Sequence, residues 1–172
     1  VRGESVKAYA SGIHPKEVYE RVSSALDRGF CSFKIKVGFD KNTDYSGLNE
    51  ASEMISDKNQ LMVDANQAWV SISEATENIK NFKEFNLKWV EEPLRASVSL
   101  SAWRALEKAV DIPLAGGENL PTLDDVLTYW QKGAFNYMQP DIGKIGGFTG
   151  LLRIFGAQEA HLTHNCTYCP HW

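Results

Sequence analysis

The sequence predicts an α/β fold, with a parallel sheet of the (β/α)8 barrel type in which strands and helices alternate. Three short apolar runs each end in a carboxylate, and these acids follow one another at intervals of 27 positions: Asp64, Glu91 and Glu118. A strand–helix unit repeats at about that length, and the segments between the runs carry helical apolar periodicity. We therefore expect the three carboxylates at one end of consecutive parallel strands, where such sheets bind their ligands.

Apolar periodicity, turn residues and capping residues together predict seven strands and six helices. The strands are short apolar runs, at positions 6–10, 30–38, 61–66, 87–91, 113–118, 135–141 and 166–172. The helices repeat apolar residues three and four positions apart. They begin near Pro15, Asp44, Ser71 or Ser73, Leu100, Pro121, and Gly147 or Thr149. The regular length of the repeating unit favours a closing barrel over an open doubly wound sheet.

Residues typical of helix ends support these limits. The first helix opens at His14-Pro15, and Gly29 stands where its C-cap is expected. Ser71 or Ser73 can cap the third helix, and the fifth ends near Lys132-Gly133. Strands alternating with helices in this way imply a parallel sheet joined by right-handed crossovers.

The second predicted strand carries two lysines on one face. Alternation places Ile35 and Val37 on one side, and Lys34 and Lys36 on the other. Two lysines on an inner face are unusual, and the same pattern fits an edge strand whose lysines are solvated. From this strand alone, both interpretations stay open.

The length of 172 residues predicts one domain, 1–172. A complete barrel has eight strands and typically about 250 residues. The sequence ends on His171-Trp172, which leaves no room for a last helix–strand–helix. We therefore expect an incomplete barrel of about seven strands that lacks the last βα unit.

Composition narrows the class of protein. Hydrophobic residues make up 43% and charged residues 23%, which is ordinary for a soluble globular domain. The net charge of -4 gives no reason to expect nucleic acid or an anionic membrane as partner. No apolar run is long enough to cross a bilayer, and because Val1-Arg2-Gly3-Glu4 lacks an apolar stretch we expect no signal peptide. Three cysteines, an odd number, fit a reducing cytoplasm better than a disulfide framework.

Polar residues follow the predicted strands one after another at their C-terminal ends, which is how barrel active sites are built. They are Lys36, Asp64, Glu91, Glu118, Asp141 and His171. Four carboxylates at one mouth repel one another in a low-dielectric pocket, and a divalent cation removes that repulsion. Oxygen ligands favour magnesium or manganese over zinc. The expected metal ligands are Asp64, Glu91 and Glu118. Asn66 lies on the face of Asp64, where it can orient a ligand or the substrate.

Each motif alone has a simpler explanation. Asp-Ala-Asn is usually a turn or a helix cap, Glu-Glu-Pro a solvated strand end, and Gly-Gly-Glu a glycine turn. The equal spacing of the motifs is what favours a site. Alternation allows only one of Glu91 and Glu92 to point inward, and spacing does not choose between them.

The chain resembles the enolase superfamily at five motifs that occur in the right order. They are Phe33-Lys34-Ile35-Lys36-Val37-Gly38, Val63-Asp64-Ala65-Asn66, Val90-Glu91-Glu92-Pro93, Gly117-Glu118-Asn119 and Gln139-Pro140-Asp141-Ile142-Gly143-Lys144-Ile145-Gly146-Gly147. Within the mandelate racemase/muconate lactonizing enzyme family, the chain resembles the mandelate racemase subgroup. Asp141 indicates this subgroup, because the muconate-lactonizing branch carries a lysine at that position. The resemblance implies a TIM-type barrel with an N-terminal capping domain, which we expect to be absent here. It also implies Glu91 rather than Glu92 as metal ligand.

The resemblance implies a magnesium-dependent acid-sugar dehydratase, a hydro-lyase. Such an enzyme removes the proton α to a carboxylate through a metal-stabilised enediolate, and it eliminates a β-hydroxyl as water. Lys36 is implied as an acid/base group, and Lys34 beside it binds the substrate carboxylate. His171, oriented by Asp141, serves the opposite face. If His171 instead returns a proton to the α-carbon, the enzyme is a racemase or epimerase of a 2-hydroxy acid. Homo-oligomers are common in this family.

The last segment of the chain leaves alternatives open. It is a few residues longer than the family motif implies, so His164 is an alternative to His171. Five potential zinc ligands also occur within positions 161–171: His161, His164, Cys166, Cys169 and His171. A non-catalytic fragment with a structural zinc site is therefore an alternative of another class. A catalytically silent barrel fragment with a binding role is a third interpretation.

Overall fold

The computed structural model describes residues 8–56, 60–160 and 167–168. The strands in these ranges are β1 (Ala10–Ile13), β2 (Phe33–Lys36), β3 (Leu61–Asp64), β4 (Val90–Glu91), β5 (Leu114–Gly116), β6 (Tyr137–Met138) and β7 (Thr167–Tyr168). The helices are α1 (Val18–Asp27), α2 (Lys41–Met54), α3 (Ile72–Asn81), α4 (Leu100–Ala109), α5 (Leu123–Gln131) and α6 (Gly147–Ala160), with a 3-10 turn at Lys83–Phe85. The predicted alternation of strands and helices is confirmed.

The strands form one parallel sheet whose order follows the chain, from β1 to β7. Each strand pairs with the next, and the helices make the connections. Consecutive parallel strands joined by helices are the (β/α) barrel arrangement. The predicted fold class is therefore confirmed, and the described residues supply seven strands of such a barrel.

The sheet separates two apolar clusters, because successive side chains on a strand point to opposite faces. The larger cluster lies between the sheet and the helices, and its members include Phe33, Ile35, Val63, Val90, Leu114 and Trp103. The smaller one lies on the other face, and it consists of Met62, Trp89 and Ala115 with Tyr9 and Tyr137 packed against it. The lysines and carboxylates of the predicted site, on β2 to β4, lie on the same face of the sheet as this smaller cluster. The strands therefore direct those polar groups into the barrel.

Two helix starts show how local contacts set the limits of the elements. α2 begins at Lys41, ahead of the predicted Asp44, because Asp40 caps it. The Asp40 Oδ1 atom accepts hydrogen bonds from the backbone amides of Asn42, at 3.1 Å, and Thr43, at 3.0 Å. At α3 the cap is Ser71 rather than Ser73, since the Ser71 Oγ atom accepts from the third amide of that helix.

The strands are shorter than the predicted runs, and the first one is displaced. β1 begins at Ala10, where the run predicted at 6–10 ends, and positions 1–7 lie outside the described residues. Among the described helices, none combines the length and the apolar character of a bilayer-spanning segment.

Candidate active site

Four charged side chains meet on the inner face of β2, β3 and β4. The strand register pairs Lys36 with Asp64, and Asp64 with Glu91, so these three lie at one level of the barrel. Lys34 precedes Lys36 by two positions and therefore has the same facing. The register brings together Lys36 and Asp64, which are 28 positions apart, and Lys34 and Glu91, which are 57 apart.

Lys34 is buried between two carboxylates. Its Nζ atom lies 2.6 Å from Oε1 of Glu91 and 3.7 Å from Oδ2 of Asp64, and 2% of its side chain is exposed. Burial alone lowers the pKa of a lysine, but the charges of Glu91, Tyr9 and Asp64 outweigh it and raise the pKa of Lys34 above its ordinary 10.5. Since β2 pairs with both β1 and β3, the edge-strand interpretation of the lysines is wrong.

Lys36 reaches the same acid from a more open position. Its Nζ atom lies 2.7 Å from Oδ2 of Asp64 and also donates to Oδ1 of Asn66, and 28% of its side chain is exposed. The other oxygen of Asp64 accepts from the backbone amide of Asn66 at 2.9 Å. Asp64 and Asn66 therefore hold the Lys36 amine at the boundary between the buried cluster and solvent, where a substrate can meet it.

Glu91 accepts hydrogen bonds from three donors. Two of them, Gln139 and Trp89, were not predicted from the sequence. Besides Lys34, Gln139 donates to Oε2 of Glu91 at 2.7 Å and Trp89 Nε1 donates to the same oxygen at 3.3 Å. Alternation could have indicated Trp89, which precedes Glu91 by two positions. The contact with Gln139 depends on how β4 and β6 are placed, and no local pattern shows it. The Oε1 atom of Gln139 is buried and has no hydrogen-bond partner among the described residues.

Glu92 is a second buried carboxylate, 3% exposed beside Glu91 at 1%. Alternation predicts that only one of this pair points inward, yet both are buried, and Glu92 lies beyond the end of β4 with a φ of 41°. Its two oxygens accept from Asn119 Nδ2, at 3.0 and 2.9 Å, and Oε2 also accepts from Gln67 Nε2 at 3.2 Å. Burial, followed by the charge of Glu118, raises the pKa of Glu92 to about 7.

Glu118 and Asp141 lie in the next two loops around the barrel. The amide of Asn119 donates to Oε1 of Glu118 at 3.2 Å. Lys144 connects the two loops: its Nζ atom donates to the backbone oxygen of Glu118 at 2.7 Å and lies 3.7 Å from Oδ2 of Asp141. The amide of Asn119 thus links the carboxyl groups of Glu118 and Glu92, the residue that follows Glu91 in the chain. The predicted His171 and its alternative His164 lie outside the described residues, as do the other zinc-ligand candidates His161, Cys166 and Cys169.

The donor set suits a hard divalent cation, because it consists of carboxylate and amide oxygens. Within the described ranges, no group of three His, Cys, Asp or Glu side chains is arranged closely enough to hold a metal ion. Lys34 and Lys36 instead hold the oxygens of Asp64 and Glu91. Glu92 adds a buried carboxyl group whose hydrogen bonds come from neutral amides. In its chemistry the site therefore fits magnesium, with Asp64, Glu91 and Glu118 as the predicted oxygen donors.

Comparison with known proteins agrees with the motifs. The family model described as enolase C-terminal domain-like matches residues 17–172. The chain is 32% identical to D-galactarolactone cycloisomerase of Agrobacterium fabrum, covering 92% of this chain and 43% of that protein. It is also 32% identical to L-talarate/galactarate dehydratase of Salmonella typhimurium, over 84% of this chain and 36% of the relative. The chain thus spans less than half the length of these curated relatives.

Solved structures show the same barrel. A mandelate racemase/muconate lactonizing enzyme from Bordetella bronchiseptica superposes with a TM-score of 0.86 at 36% identity, covering 97% of this chain and 45% of that one. L-Talarate dehydratase from Polaromonas, which is complexed with magnesium and L-glucarate, superposes with a TM-score of 0.86 at 29% identity, over 99% and 48% of the two chains. The structural-zinc alternative receives no support from these relatives. The chain therefore belongs to the enolase superfamily, and its strands are those of the C-terminal barrel domain in the mandelate racemase subgroup.

Proposed function

We propose that the protein carrying this chain is a magnesium-dependent acid-sugar dehydratase, a hydro-lyase acting on a small carboxylate substrate. The observation that carries the proposal is the position of Lys36, whose amine is held by Asp64 and Asn66 at the open edge of a buried charged cluster. A base at that edge can reach the proton on the carbon next to a bound carboxylate. The dehydratase relatives support the acid-sugar substrate class.

The proposed metal ligands are Asp64, Glu91 and Glu118, for magnesium or for manganese in its place. When bound, the cation would neutralise the substrate carboxylate and so make the adjacent carbon–hydrogen bond more acidic. Lys34 brings a buried positive charge to the same place, and Asn66 supplies an amide for a substrate oxygen. The substrate carboxylate would therefore be bound by groups that the folded barrel already holds close together.

The proposed reaction moves one proton and releases one water. The Lys36 amine takes the proton from the α-carbon, and the electron pair of that bond moves into the adjacent carboxylate group of the substrate. The pair then forms the double bond between the α- and β-carbons as the β-hydroxyl leaves with the electrons of its carbon–oxygen bond. His171, oriented by Asp141, gives the departing hydroxyl a proton, so that water is released. The resulting enol becomes a 2-keto acid. If His171 returns the proton to the α-carbon instead, the same site catalyses racemisation or epimerisation.

We also propose that residues 1–172 form one partial barrel domain that carries both the metal and the acid/base groups. The family match over 17–172 and the continuous order of the strands support this domain. The homo-oligomer and the cytoplasmic location stay predictions.

The test is turnover by the full-length protein. The protein is incubated with magnesium and a set of mono- and diacid sugars, and 2-keto acid formation is followed together with exchange of the α-proton in deuterated water. We expect Lys36→Ala to abolish both signals, while the surface variant Lys41→Ala keeps them. His171→Asn should abolish dehydration, and His164→Asn tests the alternative residue. Exchange of the α-proton without formation of a 2-keto acid would favour the racemase. A wild-type protein that shows neither signal with any of the sugars would contradict the proposal.

A further inference from the structure

We propose that Glu92 is a positioning residue, which ties the loops after β3 and β5 together and thereby fixes Glu118 relative to Asp64 and Glu91. The inference rests on the proposed function, because it concerns how Glu118 is presented to a cation. Glu92 itself is assigned no contact with substrate.

The backbone around Glu92 is held in an unfavourable conformation. Among the described residues other than glycine, four have a positive φ, and three of these are Asn66, Gln67 and Glu92, at 44°, 63° and 41°. The left-handed region crowds the Cβ atom, so it persists only where surrounding contacts impose it. Those contacts are present: the Gln67 amide donates to the Glu92 backbone oxygen at 2.7 Å, and the Glu92 amide donates to that of Ala115 at 3.0 Å.

The side chain of Glu92 joins the two neighbouring loops. Gln67, in the loop after β3, donates to it at 3.2 Å, and Asn119, in the loop after β5, donates at 2.9 Å. The same Nδ2 atom of Asn119 donates to Glu118 at 3.2 Å. One amide group is therefore shared between Glu92 and the carboxylate that it helps to place.

The orientation of both amides is set by donors on their oxygen atoms. Lys144 donates to Oδ1 of Asn119 at 3.0 Å, and the backbone amide of Ala96 donates to Oε1 of Gln67 at 3.1 Å. With each oxygen occupied by a donor, the NH2 groups must face Glu92. Residue 92 must therefore present acceptor oxygens to both amides: Oε2 accepts from Gln67 and Asn119, and Oε1 accepts a second time from Asn119.

The experiment compares three variants in the full-length protein. Glu92→Gln removes the acid and, in either orientation of the new side-chain amide, places an NH2 group against Nδ2 of Asn119. Glu92→Asp keeps the charge but draws the carboxylate back by one carbon, and it serves also if the glutamine variant does not fold. Glu77→Gln, on the exposed face of α3, is the matched control for the loss of a glutamate charge.

Two measurements separate positioning from charge and from simple stability. We expect amide hydrogen exchange in loops 65–71 and 117–122 of the metal-free protein to be faster in both Glu92 variants and unchanged in Glu77→Gln. We expect the magnesium Kd, measured by titration calorimetry well below each Tm, to rise about tenfold in both Glu92 variants. A rise in Glu92→Gln alone would mean that only charge matters and would overturn the inference, as would a lowered Tm with unchanged Kd and exchange.

The outcomes also distinguish this inference from the proposed function. If the wild type binds no magnesium while the Glu92 variants show faster loop exchange, the proposed function fails and the tie between the loops stands. If the wild type binds magnesium and the Glu92 variants bind it equally well, the proposed function stands and the positioning role is refuted.

Discussion

The side-chain amide of Gln139 donates a 2.7 Å hydrogen bond to Oε2 of Glu91, which lies two strands away in the sheet. Both residues are 1% exposed. The opposite oxygen of Glu91 accepts from Lys34 at 2.6 Å. The acid at the centre of the site is therefore held from two directions, and its orientation is set by residues of β2 and of the segment after β6.

We expect Gln139→Met to destabilise the protein by about 2 kcal/mol, because it removes a buried hydrogen bond to a charged acceptor without changing the length of the side chain much. The check is the free energy of unfolding from urea titration. Gln131→Met makes the same replacement at an exposed position at the end of α5 and should leave stability nearly unchanged. Equal effects of the two substitutions would contradict the buried role of Gln139.

Lys34→Met should be more damaging, with a loss of about 3–5 kcal/mol, because it leaves the buried carboxylate of Glu91 without its cation. The control is Lys41→Met, which breaks an ion pair whose lysine side chain is 62% exposed and whose effect on stability should be small. Both are measured by chemical denaturation under the same buffer conditions. If the variant at position 34 were as stable as the wild type, the buried pair would not be ionised as described.

Two glycines in the left-handed region separate backbone strain from steric overlap. Gly38 and Gly29 have φ values of 96° and 83°, so alanine is strained at both, by about 1–2 kcal/mol. At Gly38 an added Cβ atom would also overlap the Cβ of Ala68, whereas at Gly29 it meets open space. We expect Gly38→Ala to cost more than Gly29→Ala, by about 1–3 kcal/mol, in thermal and urea unfolding. The reverse order would show that the loop after β2 yields without cost.

Asp44 predicts a pH dependence of stability. It is 5% exposed and accepts from the backbone amides of Gly38, at 2.7 Å, and Phe39, at 3.3 Å. Burial, the largest influence, raises its pKa above the ordinary 3.8, although the two amides oppose it. The folded state then binds this proton more tightly than the unfolded state, so this contribution to stability is present below pH 3.8 and is lost as the pH rises through the raised pKa.

The measurement is the unfolding free energy of the wild type and of Asp44→Asn between pH 3 and pH 7. We expect the wild type to lose stability relative to the variant as the pH rises above 3.8, and the difference to level off once Asp44 is ionised. A difference that grows in the opposite direction would mean that the hydrogen bonds to Gly38 and Phe39 outweigh burial.

Local patterns were sufficient for the frame of the molecule. The alternation of Lys34 and Lys36 with Ile35 predicts one polar and one apolar face of β2, and the structure has both. The regular spacing of acids at strand ends predicts a parallel sheet in chain order. These features could be read because they follow from the geometry of one strand or one βα unit, which the residues within it determine.

Contacts between loops could not be read in that way. Gln67, Glu92, Asn119 and Lys144 belong to four successive strand ends, and their hydrogen bonds depend on how those loops pack. The left-handed backbone at Glu92 is imposed by its neighbours. Because the residue is not a glycine, nothing at this position of the sequence indicates a positive φ. For that reason alternation along β4 does not predict the burial of Glu92, which lies beyond the strand.

The sequence by itself determined the order and type of the strands and helices, the face of β2 that carries the lysines, and the acids near the strand ends. It could do so because hydrophobic periodicity and capping are local properties of the chain. The tertiary structure alone decided that Lys34 is buried between Asp64 and Glu91, that Gln139 reaches Glu91, and that Glu92 is buried as well. Those outcomes depend on distances between segments far apart in the chain, and such distances exist only once the barrel strands have paired.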